Sequence, residues 1–476
     1  MTESASAAGA PSLAVTLAGV PFRSPIGLAP VGGGSHFGRP DADVGREAEI
    51  TLRFLLDHVR AGSNCLYLNV SYLTEATLRK LQGGVLPHGP SAQPAAWAER
   101  FLKAVTPAAP YGVEGLYSMV TPGPGTPELH LEEERLQWQR WLVAALRQEL
   151  PAGVPLVGGV IGCGGLPDAY VDAAIKCEEL GFDLIEVNFH CPLQAGMRGA
   201  VENTAKRRFP AFSQAGLIAG HPDLVEEIVR EVVAAVKTPV GVKFSAEAGF
   251  PGIVYLAERV QEAGARYIGV GGAGVGIAPP DIYNKGKPVW PFADGSPFCL
   301  SSGSWMRRIC YRDVAAVARF VPGLDIMASG GLVTPEHCVE AMMLGATLTQ
   351  ICAGVMEQGR GLLRRTHRFL GSFLAEQGYA GADGLIGLAQ SYIGYPEDLD
   401  LQSGQVVVTI DQKACDRCGR CVDNLCVALR TEEGKTTVDE GRCTGCGACT
   451  IACRSGALSL VPKRGEGEEI RLDRLR

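Results

Sequence analysis

The sequence contains no apolar run close to the roughly eighteen residues that a membrane-spanning helix needs. Its opening residues, MTESASAAGAPS, lack both the basic n-region and the apolar core of a signal peptide. An excess of basic residues is missing too. The 44 Lys and Arg are outnumbered by 51 Asp and Glu, and the formal net charge is −7, which is untypical of a general nucleic-acid-binding protein. We therefore predict a soluble cytoplasmic protein with neither a membrane nor a nucleic acid as its partner.

The even cysteine spacing of a small, disulfide-stapled secreted protein is also absent. The chain has 16 cysteines; half of them lie between Cys415 and Cys453, and the others are scattered singly through the sequence that precedes this region. This distribution indicates reduced thiols together with one metal-binding module, and it again favours the cytosol.

Two runs, C-DR-C-GR-C-VDNL-C and C-TG-C-GA-C-TIA-C, form this module. Each places three thiolates at i, i+3 and i+6 around one face of an iron–sulfur cube, and in two-cluster ferredoxins the last cysteine of each run binds the other cluster. The pattern predicts two [4Fe–4S] clusters, with ligand sets Cys415, Cys418, Cys421, Cys453 and Cys443, Cys446, Cys449, Cys426. The alternative is a pair of structural zinc sites, whose usual signature is C-x2-C repeated at a distance. Val427 and Arg454 stand where a proline often follows the fourth cysteine.

Apolar segments of strand length alternate with amphipathic stretches through the larger, preceding part of the chain. Most segments are continuously apolar, as is typical of parallel strands buried on both faces. They lie at 26–30, 65–70, 155–161, 184–189, 240–245, 267–271, 326–330 and 348–352. Eight such segments predict an α/β fold, a (β/α)8 TIM barrel, with a doubly wound sheet as the alternative.

The predicted domain organisation follows from these two regions. A disordered tail over 1–12 precedes the barrel at 13–385, whose opening segment, Leu13–Pro25, resembles a hairpin. A linker at 386–405 leads to a two-cluster ferredoxin-like domain at 406–465, and 466–476 form a second tail.

The stretch IGVGGAG, Ile268–Gly274, contains G-x-G-x-x-G after an apolar run. A dinucleotide-binding turn must lead directly into a helix whose N-terminus meets the pyrophosphate. Here the glycines continue into the proline-rich segment VGIAPPDIYNKGKPVWP, which is incompatible with such a helix. The chain is therefore expected to have no nicotinamide site of its own, and its electrons must be exchanged with a partner.

Several motifs at the predicted strand ends together resemble those of the dihydroorotate dehydrogenase family. The similarity is greatest to the FMN barrel and ferredoxin tail of dihydropyrimidine dehydrogenases. The motifs are GLAP (27–30), N-x-x-C-P (188–192), V-K (242–243), S-G (302–303), A-S-G-G (328–331) and G-A-x-x-x-Q (345–350). The resemblance implies a (β/α)8 barrel that holds FMN at its open end.

The resemblance also implies which residues contact FMN. Gly330, Gly331, Cys352 and Ala353 would wrap the phosphate, in agreement with the usual phosphate site after strands seven and eight of such barrels. Ala29 and Pro30 would lie along the isoalloxazine, and Ser302 and Gly303 would contact the ribityl-phosphate side. Lys243 would face the flavin edge that becomes negative on reduction. The alternative for Lys243 is a core lysine paired with a carboxylate such as Glu186.

The N-x-x-C-P motif carries the predicted catalytic residues, together with Lys243. By resemblance Cys191 moves a proton to or from the substrate carbon next to the one that exchanges hydride; the alternative is a small apolar plug. Asn188 would hydrogen-bond the substrate. His190 replaces a serine of relatives, as a second acid–base group or as a polar wall.

Two features depart from the pyrimidine-handling relatives. Gly271 and Gly272 replace an Asn-Thr pair that clamps the pyrimidine ring, and we expect them to open room above the flavin. The loop at 193–220 is longer than in relatives and contains Lys206, Arg207 and Arg208, which is typical of a substrate lid or of a solvated basic loop.

We therefore expect an FMN- and iron–sulfur-dependent oxidoreductase that acts on a C=C or CH–CH bond of a cyclic conjugated substrate other than uracil. A separate NAD(P)H-binding flavoprotein subunit or a ferredoxin would exchange its electrons, and the resemblance adds a homodimer as an open possibility. Three alternatives are a non-catalytic electron-relay subunit, an RNA-modifying barrel like dihydrouridine synthase, and an FMN/iron–sulfur unit like that of glutamate synthase.

Overall fold

The computed structural model describes most of the chain. The described residues are 10–30, 44–70, 72, 74–77, 80, 101–108, 112–120, 133–160, 166–190, 219–277, 279–288, 298–395, 406–424 and 426–462. The chain divides into two compact units, Met1–Ile393 and Gly394–Arg476. Among the described helices, none combines the length and the apolar character that a membrane span requires.

The strands of the first unit are mostly short. They are β1 Val15–Leu17, β2 Val20–Phe22, β3 Ile26–Leu28, β4 Leu66–Val70, β5 Phe101–Ala108, β6 Gly112–Val120, β7 Leu156–Val160, β8 Leu184–Phe189, β9 Val240–Phe244, β10 Tyr267–Gly271, β11 Gly274–Ile277, β12 Phe298–Ser302, β13 Asp325–Ser329 and β14 Leu348–Ile351. Its α-helices are α1 Val44–Arg60, α2 Glu133–Glu149, α3 Pro167–Leu180, α4 Pro222–Ala235, α5 Gly252–Glu262, α6 Arg307–Phe320, α7 Pro335–Met343, α8 Ala353–Gln358 and α9 Gly361–Gln377.

Eight of these strands form one sheet in which every neighbouring pair is parallel. Its order is β3-β14-β13-β10-β9-β8-β7-β4. The two strands at the ends of this order are β3 and β4, and hydrogen bonds join β3 to the residues just before β4. The N–H of Leu28 donates to Ser63 Oγ at 2.9 Å, and the N–H of Asn64 donates to the carbonyl of Ile26 at 3.0 Å. The predicted (β/α)8 barrel is thus confirmed, with each predicted segment supplying one strand.

Continuous burial explains why these strands are apolar throughout. In β7, β9 and β10 every residue is buried, because the barrel interior covers one face and the helices cover the other. Amphipathic helices such as α4 place Val225, Ile228, Val229 and Val232 against the sheet. The result is one hydrophobic core between the barrel and its helices.

Two further sheets belong to this unit. The β1–β2 hairpin lies at the end of the barrel where the strands begin, since the N–H of Ala18 donates to Asp325 Oδ2 at 2.6 Å. A four-stranded antiparallel sheet, in the order β11-β12-β6-β5, was not predicted from the sequence. Its strand β11 begins three residues after the end of β10, so it stands beside the opposite, carboxyl end of the barrel.

Within residues 406–424 and 426–462, the second unit contains two antiparallel strand pairs and two short helices. Its elements are β15 Val406–Ile410, α10 Arg420–Asp423, β16 Leu429–Glu432, β17 Lys435–Val438, α11 Ala448–Ala452 and β18 Leu458–Pro462. Strand β15 pairs with β18 and strand β16 with β17. Its small core mixes aliphatic side chains with the buried thiols of Cys421 and Cys449, so the cysteines hold positions that a larger domain would fill with aliphatic residues.

Candidate active site

The carboxyl ends of the barrel strands gather most of the predicted cofactor residues. Ala29 and Pro30 follow β3, Gly330 and Gly331 follow β13, and Cys352 and Ala353 follow β14. Asn188 and Lys243 stand near the ends of β8 and β9, where they are register partners. Ser302 ends β12 of the antiparallel sheet, and Gly303 follows it with φ 138°. Parallel strands end at one edge, so these residues share the barrel mouth.

Lys243 is a buried cation in a polar layer of the barrel interior. Only 4% of its surface is exposed. Its Nζ donates to Gln350 Oε1 at 2.9 Å and lies 5.6 Å from the centroid of the Tyr67 ring. Its stem passes Gly269, where an added Cβ would lie 3.1 Å from Cγ of the lysine. The direct partner of Lys243 is therefore an amide oxygen and not the Glu186 carboxylate of the alternative interpretation.

Glu186 belongs to the same layer, which Tyr67 connects. The Tyr67 hydroxyl lies 3.4 Å from Glu186 Oε2, and the amide nitrogen of Gln350 donates to that hydroxyl. Burial raises the pKa of the Glu186 carboxyl, although the nearby Lys243 partly opposes that shift. Glu186 and Lys243 therefore influence each other within one buried layer, while the hydrogen bond of Lys243 goes to the neutral amide of Gln350.

Asn188 and His190 are tied to each other at the end of β8. Asn188 Oδ1 accepts the backbone N–H of His190 at 2.9 Å, which fixes the carboxamide orientation. His190 Nε2 in turn accepts the backbone N–H of Ala273 at 3.1 Å. A backbone N–H can only donate, so Nε2 is unprotonated and the proton of the neutral ring lies on Nδ1. Burial, with a smaller contribution from Lys243, lowers the pKa of His190 to about 3.

Gly272 provides the space that His190 fills. A Cβ added at Gly272 would lie 2.0 Å from His190 Nε2, and the residue has φ +81°. The expectation that the glycines of IGVGGAG open room above the flavin is therefore wrong in part, because the imidazole occupies the space beside Gly272. The polar wall interpretation of His190 agrees with this geometry better than acid–base chemistry, since the ring stays neutral near pH 7.

The remainder of IGVGGAG adopts the conformation that its glycines allow. Gly271 has φ +86°, and the N–H of Gly272 donates to the carbonyl of Ser329 at 2.6 Å. The chain then enters strand β11 and not a helix. The exclusion of a dinucleotide-binding turn at this position is thereby confirmed, because the required helix N-terminus is replaced by an extended strand.

The loops after β13 and β14 form a close-packed backbone cradle. Gly330 has φ +106°, and a Cβ there would lie 2.7 Å from the carbonyl oxygen of Gly272. A Cβ at Gly354 would lie 2.9 Å from the carbonyl oxygen of Leu332. Cys352 precedes α8, a short helix that starts at Ala353, as in the phosphate sites of such barrels. This cradle and the buried Lys243, whose hydrogen-bond partner is the neutral amide of Gln350, fit the phosphate and the reducible ring of FMN.

Several site residues were missed or lie outside the described part of the chain. The motif G-A-x-x-x-Q contains Gln350 without indicating its contacts, and no sequence motif points to Tyr67 or Asn69. Asn69 lies on β4, with its Oδ1 only 2.5 Å from where a Cβ on Gly159 would be. The predicted proton-transfer residue Cys191 and the basic segment of the loop 193–220 lie outside the described residues.

The cysteines of the second unit fall into two groups. Cys415, Cys418, Cys421 and Cys453 line one cavity together with Ile410 and Leu458. Burial raises the pKa of Cys449 to about 11, and Cys426, Cys446 and Cys443 lie close enough to contribute to that shift. Among the described residues no three metal-binding side chains meet at a position for a single ion. The two groups match the ligand sets in which the runs exchange their last cysteine.

Comparisons with known proteins agree with both units. The dihydrouridine synthase (Dus) family model matches residues 162–371, and the 4Fe-4S binding domain model matches residues 436–459. The chain is 28% identical over 236 residues to the catalytic subunit of dihydroorotate dehydrogenase B (NAD(+)) of Thermoplasma volcanium, covering 49% of this chain and 68% of that protein. It is 28% identical over 281 residues to the NAD-dependent dihydropyrimidine dehydrogenase subunit PreA of Escherichia coli K12, covering 58% and 62%.

A third relative carries the same name as the first. It is dihydroorotate dehydrogenase B (NAD(+)), catalytic subunit, of Methanothermobacter thermautotrophicus, 29% identical over 253 residues, or 52% of this chain and 74% of that protein. The resemblance to a dihydroorotate dehydrogenase-like barrel with an iron–sulfur tail is therefore confirmed, as is the expectation of an oxidoreductase. The 4Fe-4S model covers only the second cysteine run.

Proposed function

We propose that this chain is an FMN-dependent oxidoreductase that acts on a C=C or CH–CH bond of a cyclic conjugated substrate and exchanges electrons through two [4Fe–4S] clusters. The observation that carries the proposal is Lys243, a buried cation at the barrel mouth whose hydrogen-bond partner is the neutral Gln350. A buried charge of this kind is costly unless a negative group completes its surroundings. The reduced edge of a flavin is such a group.

FMN, when bound, exchanges a hydride with the substrate and single electrons with the clusters. The residues of the chain supply the rest. Lys243 would supply a positive charge to the flavin edge that becomes negative on reduction, and the amide group of Asn188, fixed through the N–H of His190, would orient the substrate. Cys191 gives a proton to one substrate carbon while its neighbour receives the hydride, so both electrons and the proton are accounted for. In the reverse direction the thiolate takes that proton back.

We propose a substrate other than uracil. Gly271 and Gly272 carry no side chain that hydrogen-bonds a pyrimidine amide edge, and the imidazole of His190 occupies the space beside Gly272. The neutral His190 ring presents an Nδ1–H donor, which suits a carbonyl oxygen of the substrate. A site that lacks the polar groups for a substrate recognises that substrate poorly.

The clusters require an electron partner. The relatives' names describe a catalytic subunit and an NAD-dependent subunit. This supports a separate NAD(P)H-binding flavoprotein or a ferredoxin as the partner. A homodimer of the chain itself is also part of the proposal. Reduced thiols support a cytoplasmic location, because the thirteen cysteines whose side chains the structure describes are free. The cavity at Cys415, Cys418, Cys421 and Cys453 supports the first cluster.

RNA modification is a second candidate, because the dihydrouridine synthase model matches the barrel. The net charge of −7 disfavours it. Binding of unmodified tRNA that weakens steeply with salt would favour this candidate. Absence of binding at low salt would leave the small-substrate proposal in place.

The first test is anaerobic purification of the full chain, followed by iron and sulfide analysis and identification of the released flavin. We expect FMN and about eight iron atoms per chain, as two cubes require. About four iron atoms would contradict the first cluster, and iron without flavin would overturn the proposed chemistry. Cys191→Ala should then abolish reduction of the cyclic enone or enamide that the wild type accepts. Unchanged electron flux in that variant would favour a non-catalytic relay.

A further inference from the structure

Strand β11 has one edge paired with β12, and its other edge meets side chains that come from the barrel mouth. The N–H of Val275 donates to Glu247 Oε1 at 2.8 Å. Two residues earlier, immediately before β11, the N–H of Ala273 donates to His190 Nε2 at 3.1 Å. Alternate N–H groups of an extended chain point to the same side and are about 7 Å apart. Glu247 and His190 therefore lie next to each other along one edge.

The turn that follows β9 holds Glu247 at this edge. Its backbone N–H donates to Oγ of the buried Ser245 at 3.3 Å, and Ser245 caps the turn Ala246–Ala248. The N–H of Val275 occupies Oε1 of the carboxylate, and the side chain is otherwise exposed. None of the ion pairs between described residues includes Glu247. Its Oε2 is thus available to a ligand.

The indole of Trp305 reaches the same point of the edge. Trp305 follows Ser302 and Gly303 at the mouth and is 43% exposed, although it is a large apolar side chain. A Cβ built on Gly274 would lie 3.5 Å from Glu247 Oε1 and 3.7 Å from Cη2 of Trp305. The carboxylate oxygen and the indole carbon are therefore at most about 7 Å apart. A carboxylate beside an aromatic ring is a combination that recognises an ammonium group.

The two ends of this edge differ in polarity. His190 is a neutral ring that presents an Nδ1–H donor, because its Nε2 is the acceptor for the N–H of Ala273. Glu247 presents a charged acceptor oxygen about 7 Å further along the strand. A neutral N–H group could also bind the carboxylate, but only a cation gains from both the negative charge and the aromatic ring of Trp305. The edge is therefore complementary to a ring with a carbonyl on one side and a positive charge on the other.

We propose that Glu247 and Trp305 form a specificity site at the barrel mouth that binds a protonated amine of the substrate, while the Nδ1–H of His190 binds the substrate carbonyl. The inference rests on the proposed function, because it narrows the cyclic conjugated substrates of that function to those that carry an ammonium group. Glu247 and Trp305 select and orient the substrate, and no bond of the substrate changes at either residue.

The test compares two cyclic enones of similar size. One is 3-(aminomethyl)cyclohex-2-en-1-one, whose amine is protonated near pH 7, and the other is the neutral 3-ethylcyclohex-2-en-1-one. Each is titrated by anaerobic calorimetry into the full-length chain with its clusters, with and without bound flavin and without a reductant. Glu247→Gln removes the charge but keeps an acceptor for the N–H of Val275. Trp305→Leu removes the aromatic ring, and Glu258→Gln, at an exposed acid on α5, is the matched control.

We expect the wild type to bind the ammonium compound more tightly than the ethyl compound. Glu247→Gln should weaken binding of the ammonium compound by roughly 10-fold or more, the effect of losing a hydrogen bond between charged groups. Trp305→Leu should weaken it by about 2- to 5-fold, as loss of a cation–π interaction at a partly exposed position predicts. The affinity for the ethyl compound should stay within about twofold, and Glu258→Gln should change neither affinity. Thermal unfolding verifies the fold of each variant.

The ratio of the two affinities decides the outcome. The same ratio in wild type and Glu247→Gln would overturn the inference even if both affinities fall, because a residue that only holds β11 in place affects both ligands equally. Reduction of the ethyl compound by the flavin-loaded chain would then show that the proposed function is intact. If the chain binds no flavin but still prefers the ammonium compound, and Glu247→Gln removes that preference, the inference is supported and the flavin chemistry fails. If neither enone binds with or without flavin, the inference is overturned.

Discussion

At the scale of the single residue, Lys243 shows how a buried charge is kept in a barrel. Its aliphatic stem crosses Gly269, its Nζ meets Gln350, and the ring of Tyr67 faces it. None of these neighbours carries a full negative charge. We propose that the lysine favours the reduced state of a flavin bound at the mouth, because its positive charge would stabilise a negative group there.

Lys243→Met tests this role. The substitution keeps the stem and removes the charge, so we expect the midpoint potential of the bound flavin to fall by at least about 30 mV, which corresponds to about 1.4 kcal/mol for a two-electron couple. The measurement is an anaerobic redox titration followed by absorbance. The control is Lys176→Met, which removes a largely buried lysine on α3 that pairs with Glu179. A potential that is equal in wild type and Lys243→Met would refute the electrostatic role.

At the scale of the element, the barrel strands fit together because glycine on one strand faces a large side chain on the next. Gly241 of β9 is the register partner of Tyr267 of β10. A Cβ at Gly241 would lie 2.3 Å from the ring of Tyr267. That ring is fully buried, and its hydroxyl donates to the carbonyl of Ile185 on β8 at 3.2 Å. The glycine therefore lets one aromatic residue tie three adjacent strands together.

Gly241→Ala should consequently destabilise the barrel. Because the interior has no spare volume, we expect a loss of roughly 1–3 kcal/mol in the free energy of unfolding. Gly371→Ala is the matched control, since it lies within α9 with no atom near the added Cβ. That control should stabilise the protein by up to about 1 kcal/mol, the difference between Ala and Gly in a helix. Denaturant unfolding measures both, and equal effects would contradict the packing argument.

At the scale of the whole molecule, acid sensitivity is concentrated in the first unit. Burial lowers the pKa of His58, His190, His337 and His367, all of which lie in the barrel. Below pH 6.5 the unfolded chain protonates these rings while the folded barrel does not. The stability that they contribute is therefore complete above about pH 6.5 and is lost as the pH falls towards the folded pKa values.

We expect the free energy of unfolding to fall by about 2 kcal/mol for His337 alone between pH 6.5 and about pH 5, because each pKa unit is worth about 1.4 kcal/mol. Tryptophan fluorescence in flavin-free, phosphate-free buffer measures it, since every Trp precedes the second unit. His337→Asn should flatten the pH dependence by that amount, and the partly exposed His221→Asn by less. An unchanged slope in His337→Asn would contradict the buried neutral ring.

Much of the architecture could be predicted from the sequence, because it depends on local pattern. Continuous apolar segments separated by amphipathic helices predict parallel strands, and the structure closes eight of them into a barrel. The cysteine runs predict the grouping of Cys453 with the first run, because each run supplies three thiolates to one cube and, in two-cluster ferredoxins, its last cysteine to the other. The cavity lined by Cys415, Cys418, Cys421 and Cys453 agrees with that grouping. The antiparallel sheet of β5, β6, β11 and β12 escaped prediction. Its strand β12 pairs with β6 from a distant part of the chain, and such a pairing leaves no local pattern in the sequence.

The sequence by itself determined the fold class and the strand ends at which a site must lie, and it predicts the cluster ligands. Only the tertiary structure decided what each side chain does there. Lys243 meets Gln350 across 107 residues, and Tyr67 meets Gln350 across 283. Similarly, His190 fills the space beside Gly272. Strand patterns arise from neighbours in the chain. The burial of Lys243 and the tautomer of His190 depend on distant segments that only the closed barrel brings together.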